Sequence, residues 1–138
     1  MKKYYVDWLR LKPGDELIVP KSGWDIIQHH ALYIGYDHQG IHWIIHNNVQ
    51  TGVSLITVDD FFTQVHKVNK IMRFTGTNTE RKALVQRALI RIGKPYDLIN
   101  YNCEHFISEV KTGSASSPQV KSGLAFAGIL LLAAIFIE

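Results

Sequence analysis

Two runs of β-branched and aromatic residues, His29 to Tyr36 and Ile41 to Asn47, flank the turn-forming Asp37-His38-Gln39-Gly40. That pattern predicts an antiparallel hairpin, and a hairpin commits the chain to a sheet that must bury at least one face. Pro13-Gly14-Asp15 marks a turn into a short strand, Glu16 to Val19, closed by Pro20. Val53 to Ile56 and Lys67 to Phe74 read as further strands. Three helical stretches supply the cover. Val58 to Val65 follows the capping residue Thr57, and Glu80 to Ile92 follows Asn78 or Thr79 and stops before Gly93 and Pro95. Cys103 to about Lys111 follows Asn102. The fold class expected is α+β, an antiparallel β-sheet packed against helices.

A chain of 138 residues holds one core of ordinary size, hence one site. Lys and Arg number 15 against 12 for Asp and Glu, and a balance of +3 lacks the basic footprint of a nucleic-acid binder. The apolar residues are unevenly placed. Leu124 to Ile137 is apolar throughout except for Gly128. As a helix this stretch would span roughly 21 Å, short of the ~30 Å hydrocarbon core, which favours a buried helix. Its apolar character on every helical face and the flexible Thr112-Gly113-Ser114-Ala115-Ser116-Ser117-Pro118 before it favour membrane contact. The expected organisation is a folded domain over 1–111, a Gly/Ser-rich tether over 112–123 and a hydrophobic, membrane-associated segment over 124–138. After Met1-Lys2-Lys3, charged residues from Asp7 to Glu16 interrupt any apolar signal core, so a cytoplasmic setting for the domain is expected.

Cys103 is the single cysteine, which excludes an internal disulfide and multi-cysteine metal motifs. At the first position of a helix it meets unpaired backbone N–H groups and the positive end of the dipole, both of which favour a thiolate nucleophile. A lone cysteine can equally be a small buried hydrophobe. Its helical face carries Phe106, Ile107 and Val110, so the sulfur is expected to point towards the sheet. Strand parity sorts the seven histidines. His29, Ala31 and Tyr33 share one face and His30 the other; a register in which Ala31 lies opposite His46 makes His46 a diagonal neighbour of His29. In the same register His42 lies opposite Gly35, too far along the strand to reach His29. His29 and His46 could serve Cys103 as base and orienting group, or they could simply face solvent. No CxxC or HExxH spacing supports a metal site.

The motifs Lys12-Pro13-Gly14-Asp15, His29-His30-Ala31-Leu32-Tyr33-Ile34-Gly35, Ile44-Ile45-His46 and, most specifically, Asn102-Cys103-Glu104-His105-Phe106 resemble the lecithin:retinol acyltransferase-like family, which includes the small phospholipase A/acyltransferases. Gly93-Lys94-Pro95-Tyr96-Asp97 and Ser117-Pro118-Gln119-Val120 add to the resemblance. It implies a permuted papain-like fold, Cys103 as nucleophile, His29 as base and His46 as second histidine, and acyl transfer through a thioester without metal or cofactor. It also implies a C-terminal membrane segment. Asn47 and Asn48 stand where the family pattern would have apolar residues.

The function expected is therefore a membrane-associated thiol acyl-hydrolase or acyltransferase whose partners are a phospholipid or other acyl ester and the membrane, with no nucleic acid and no obligate protein partner. A cysteine peptidase or amidase with the same triad is one alternative. A membrane-tethered, non-catalytic binding module is the other.

Overall fold

The computed structural model describes residues 4–21 and 28–112; the expected tether beyond residue 112 and the hydrophobic segment 124–138 lie outside them. In chain order the elements are α1 (Tyr4–Leu9), β1 (Glu16–Pro20), β2 (Gln28–Tyr36), β3 (His42–Asn48), β4 (Gly52–Thr57), α2 (Val58–Gln64), β5 (Lys70–Met72), α3 (Asn78–Leu89) and α4 (Cys103–Thr112). The five strands form one antiparallel sheet in the order β4-β3-β2-β1-β5, as an α+β fold requires. The long strands β2 and β3 occupy its centre. Their β-branched and aromatic residues are buried on both faces, so helices must cover both.

Alternation along the strands separates two cores. On one face Leu32, Ile34, Ile45 and Val53 pack against Leu84, Val85, Ala88 and Leu89 of α3 and against Phe106, Ile107 and Val110 of α4. On the other, Leu17, Val19, Ala31, Tyr33 and Ile44 pack against Val58, Phe61 and Phe62 of α2 and Val6 of α1. Asp15, in the turn before β1, ties the first core strand to the end of β5. Its carboxylate accepts from the backbone N–H of Lys12 and Phe74 at 3.0 and 2.9 Å and from Arg73 at 3.0 Å. Gly14, at φ 97°, lets that turn form, and Tyr33 returns the contact by accepting from Gly14 N–H at 2.8 Å.

Three sequence expectations need adjustment. Ala31 does lie opposite His46, but the ladder slips at Ile34, and His42 then pairs with Tyr36 instead of Gly35. A bulge adds one residue to β2, and Gly35 at φ 112° supplies the backbone conformation it needs. Helix α3 starts one turn's fraction early because Thr77, rather than Asn78 or Thr79, is the cap. Thr77 and Glu80 satisfy each other's backbone N–H groups, a reciprocal pair that outcompetes the neighbouring polar residues. The strand expected over Lys67 to Phe74 shortens to β5, since only Lys70–Met72 pairs with β1. Helix α1 has no counterpart in the sequence reading.

Gly52 opens β4 at φ 71°, and a Cβ there would sit 2.4 Å from the carbonyl oxygen of Lys94. That carbonyl accepts from Val53 N–H at 2.9 Å, and Gly93 N–H donates back to Val53 at 2.8 Å. The segment after α3 is thereby laced to the start of β4, which brings the whole 93–102 connection to the sheet end from which α4 departs.

Candidate active site

Strand β1 ends, β2 begins, β3 ends and β4 begins at one end of the sheet, and α4 starts there too. The start of α4 is held by three anchors. Asn102 caps it: Oδ1 accepts from the N–H groups of Glu104 and His105 at 3.0 and 3.1 Å, and His105 Nδ1 accepts from Asn102 N–H at 3.0 Å. This is a capping box with histidine in the place of the usual Glu or Gln. Asn47, fully buried on β3, donates from Nδ2 to the carbonyls of Tyr101 and Asn102 at 2.8 and 3.2 Å. Tyr101 Oη donates to Glu109 at 2.6 Å, and Arg91 Nε donates to the same carboxylate oxygen at 2.6 Å. Burial would raise Glu109, but these two bonds and the nearby cations hold its carboxyl below the ordinary value.

Asn47 is the polar residue that looked out of place in the sequence, and this geometry explains it. A leucine at 47 would leave two loop carbonyls without their donor, while relieving an Oδ1 that has no protein partner. An aspartate would lose the donor and set a carboxylate against the same two oxygens. Asn47→Leu is expected to cost about 1–3 kcal/mol and Asn47→Asp distinctly more at neutral pH. Urea unfolding checks the order; an aspartate variant as stable as wild type would remove Asn47 from the anchoring role.

Cys103 is buried, 5% exposed, and its Sγ lies 3.8 Å from the carbonyl oxygen of Gln28, to which it donates a weak bond. His29 Nε2 and His46 Nδ1 lie 2.9 Å apart, one imidazole donating to the other. The diagonal relation inferred from parity thus becomes direct ring-to-ring contact, with the planes 70° apart. Burial pushes His29 down to about 3, with the charges of His46 and Lys21 acting in the same direction, and burial pushes His46 down to about 4. Both rings are neutral at neutral pH. They border a cavity of about 360 Å³ whose wall includes Lys21, Asn48, Val49, Phe61 and Gln64.

The sulfur and the histidines approach from different sides. His29 and His46 lie with the α2-facing core, whereas α4 packs on the opposite face. Among the described residues no hydrogen bond joins Sγ to either imidazole, and Cys103 is not in the cavity wall. The backbone of His29 is nonetheless close to the sulfur. From the Sγ to Gln28 carbonyl distance, standard bond lengths place the His29 amide nitrogen within about 6 Å of the sulfur. His29 also sits where β2 is free of β3, because the β2–β3 ladder begins only at Ala31.

On the α4 side of the sheet, His30 Nδ1 lies 2.5 Å from Glu16 Oε2, and its Nε2 lies 3.9 Å from Glu104 of the first turn of α4. Glu16 is buried and also accepts from Lys111. Burial would raise its carboxyl, but the bonds from His30 and Lys111 hold it below the ordinary value. Parity placed His30 opposite to His29 but could not reveal this carboxylate–imidazole pair, because Glu16 is distant in sequence. His42, set aside for its distance, bonds Tyr33 Oη through Nδ1 at 2.6 Å inside the α2-facing core. Among the described residues no group of three or more His, Cys, Asp or Glu side chains is arranged to hold a metal.

The family model described as lecithin retinol acyltransferase matches residues 9–116. The chain belongs to that family. The match runs from the end of α1 past α4 and takes in both histidine strands and the Cys103 helix. Neither a curated protein nor a solved structure matches the chain. Lecithin retinol acyltransferase domains are in general acyltransferase- or hydrolase-like, and in this chain Cys103, His29 and His46 lie at one end of one sheet.

Proposed function

We propose that the protein is a membrane-associated, cysteine-dependent acyl-hydrolase or acyltransferase acting on a lipid ester, with a glycerophospholipid as its substrate class. The observation that carries this reading is the coupled His29–His46 pair beside the strand residue that touches Cys103. For His29 to accept a proton through Nδ1, its Nε2 must carry hydrogen and donate to His46 Nδ1, which fixes His46 as the Nε2–H tautomer. His46 is then the group that orients the base. β1 pairs with His29 through Val19 and β3 does not, and Nδ1 is the His29 nitrogen left to take the thiol proton while Nε2 keeps its bond to His46.

In the reaction Sγ attacks the ester carbonyl carbon while His29 takes the thiol proton. The tetrahedral intermediate collapses with cleavage of the bond to the glycerol oxygen, and His29 returns the proton to that leaving alkoxide. Water, or a hydroxyl or amine acceptor, attacks the thioester, gives its proton to His29 and releases the thiolate, which is reprotonated from it. Asn102 already occupies the N–H groups of Glu104 and His105, so the N–H of Cys103 itself is the helix-start donor left for the oxyanion. The order of histidine strands before the cysteine helix supports a permuted papain-like arrangement. The domain 1–111 works on the cytoplasmic side, held by the tether 112–123 and the apolar segment 124–138.

The test is mass spectrometry of the protein after brief exposure to phospholipid vesicles. An acyl adduct on the Cys103 peptide, released by hydroxylamine, is expected. Product formation with no adduct on Cys103, or cleavage of peptides in place of lipids, would overturn the proposal.

A further inference from the structure

The sheet end that carries the site also exposes four large apolar side chains, apart from those that α1 exposes at Tyr4 and Trp8. Ile99 is 75% exposed, Leu98 68%, Val49 57% and Ile92 39%. They belong to three neighbouring connections: the β3–β4 turn, the exit of α3 and the loop before Cys103. These connections are fastened together through Val53, Lys94, Asn47 and Tyr101. Leu98 and Ile99 are held outward by a closed loop. Asp97 and Tyr101 exchange backbone hydrogen bonds at 3.0 and 2.8 Å, and Asp97 Oδ1 accepts from the N–H groups of Ile99 and Asn100 at 3.0 and 3.1 Å. Asn102 Nδ2 donates to the Leu98 carbonyl at 3.1 Å. A loop so tied cannot fold its two apolar side chains back onto the core.

We propose that this rim, with the Leu98–Ile99 tip at its centre, is the surface by which the domain docks on an anionic phospholipid bilayer, with the site opening towards the lipid. Separate apolar tips on three connections suit a lipid surface, which takes them individually; a protein partner needs one continuous complementary face. Lys21, which reaches Tyr96 of the same loop, and Lys94, half-exposed and shared with Glu109, stand at this end for anionic headgroups, while the Asp97 carboxylate is occupied by the N–H groups of its own loop. The length of chain beyond the structure allows a second contact with the same bilayer. Helix α4 leads roughly 15 Å away from the tip, and twelve residues, 112–123, have a greatest possible reach of roughly 40 Å, enough for the apolar run from Leu124 to meet the bilayer that the tip enters. The inference rests on the lipid-ester reading only for why docking is useful, since binding is measured without turnover.

The experiment uses the full chain with Cys103→Ser to leave no other thiol. Leu98→Cys in that background carries a polarity-sensitive fluorophore; His38→Cys, in the hairpin turn at the opposite end of the sheet, is the control. With phosphatidylcholine–phosphatidylserine vesicles, a blue shift and brightening at 98 and none at 38 are expected, stronger than with phosphatidylcholine alone. The unlabelled Leu98→Asp/Ile99→Asp variant should bind these vesicles about tenfold or more weakly by co-sedimentation, with an unchanged circular dichroism spectrum. No shift at 98, equal shifts at 98 and 38, or undiminished binding of the aspartate variant would overturn the proposal. Loss of vesicle binding with intact hydrolysis of a soluble short-chain ester would separate docking from chemistry. Absence of hydrolysis in the wild type with intact docking would sink the catalytic reading alone.

Discussion

Cys103→Ser is expected to lower phospholipid turnover by about a thousandfold or more while leaving the fold in place. The loss follows from chemistry at the reacting atom: a hydroxyl is a far weaker acid than a thiol, and a neutral imidazole cannot activate it without an environment built for oxygen. The small structural effect follows from packing. Cys103 touches the Gln28 carbonyl through a long sulfur contact, and serine keeps a donor in that place, so a change within about 1 kcal/mol is expected on unfolding. The helix start itself is unaffected, because its cap is Asn102 and its loop is held by Asn47, not by the cysteine. Release of lysophospholipid at saturating vesicle concentration, together with a urea unfolding curve, reads both halves. Equal turnover in the two proteins would show that Cys103 is the small buried residue its 5% exposure also permits.

Much of this arrangement is legible in the chain because it is local. The turn at Asp37 to Gly40, the alternation of His29, Ala31 and Tyr33, and the cap at Asn102 are each set within a few residues, and the first two place His46 beside His29. What sequence could not show depends on contacts across the fold. The slip at Ile34 shows only where β2 meets β3, with Gly35 at φ 112° taking up the extra residue. The Glu16–His30 pair joins different strands, and the use of Asn47 as an anchor depends on a loop 54 residues further on. The helical face of Cys103 points the sulfur towards the sheet, where it touches the Gln28 carbonyl, while the two imidazoles belong to the other face. The motif resemblance picks out the three residues but not the opposite faces on which they lie.

The buried contact between the two imidazoles makes pH the second decisive variable. Both imidazoles are held neutral by burial, with His29 at about 3 and His46 at about 4 against an ordinary value near 6.5. Between these values the unfolded chain binds more protons than the folded one, so folding stability rises with pH across this window. The contribution is complete above about 6.5 and is lost as pH falls towards 4 and then 3. For His46 alone it amounts to roughly 3 kcal/mol. His46→Gln, which keeps a donor and acceptor beside His29 but cannot titrate, should therefore lose less stability than wild type between about pH 6.5 and 4.5, read by urea unfolding at each pH. Catalysis should follow the same ring. With a neutral His29 the rate should show no acid limb near 6.5, the place where an exposed imidazole would produce one, and His29→Gln should remove activity by about a thousandfold or more at every pH. His30→Gln supplies the contrast, because His30 stands on the same face as α4 and leans on the buried carboxylate of Glu16. If turnover collapses in His30→Gln and survives in His29→Gln, the proton acceptor is the Glu16–His30 pair, and Cys103 works across the face it packs on instead of around the strand end.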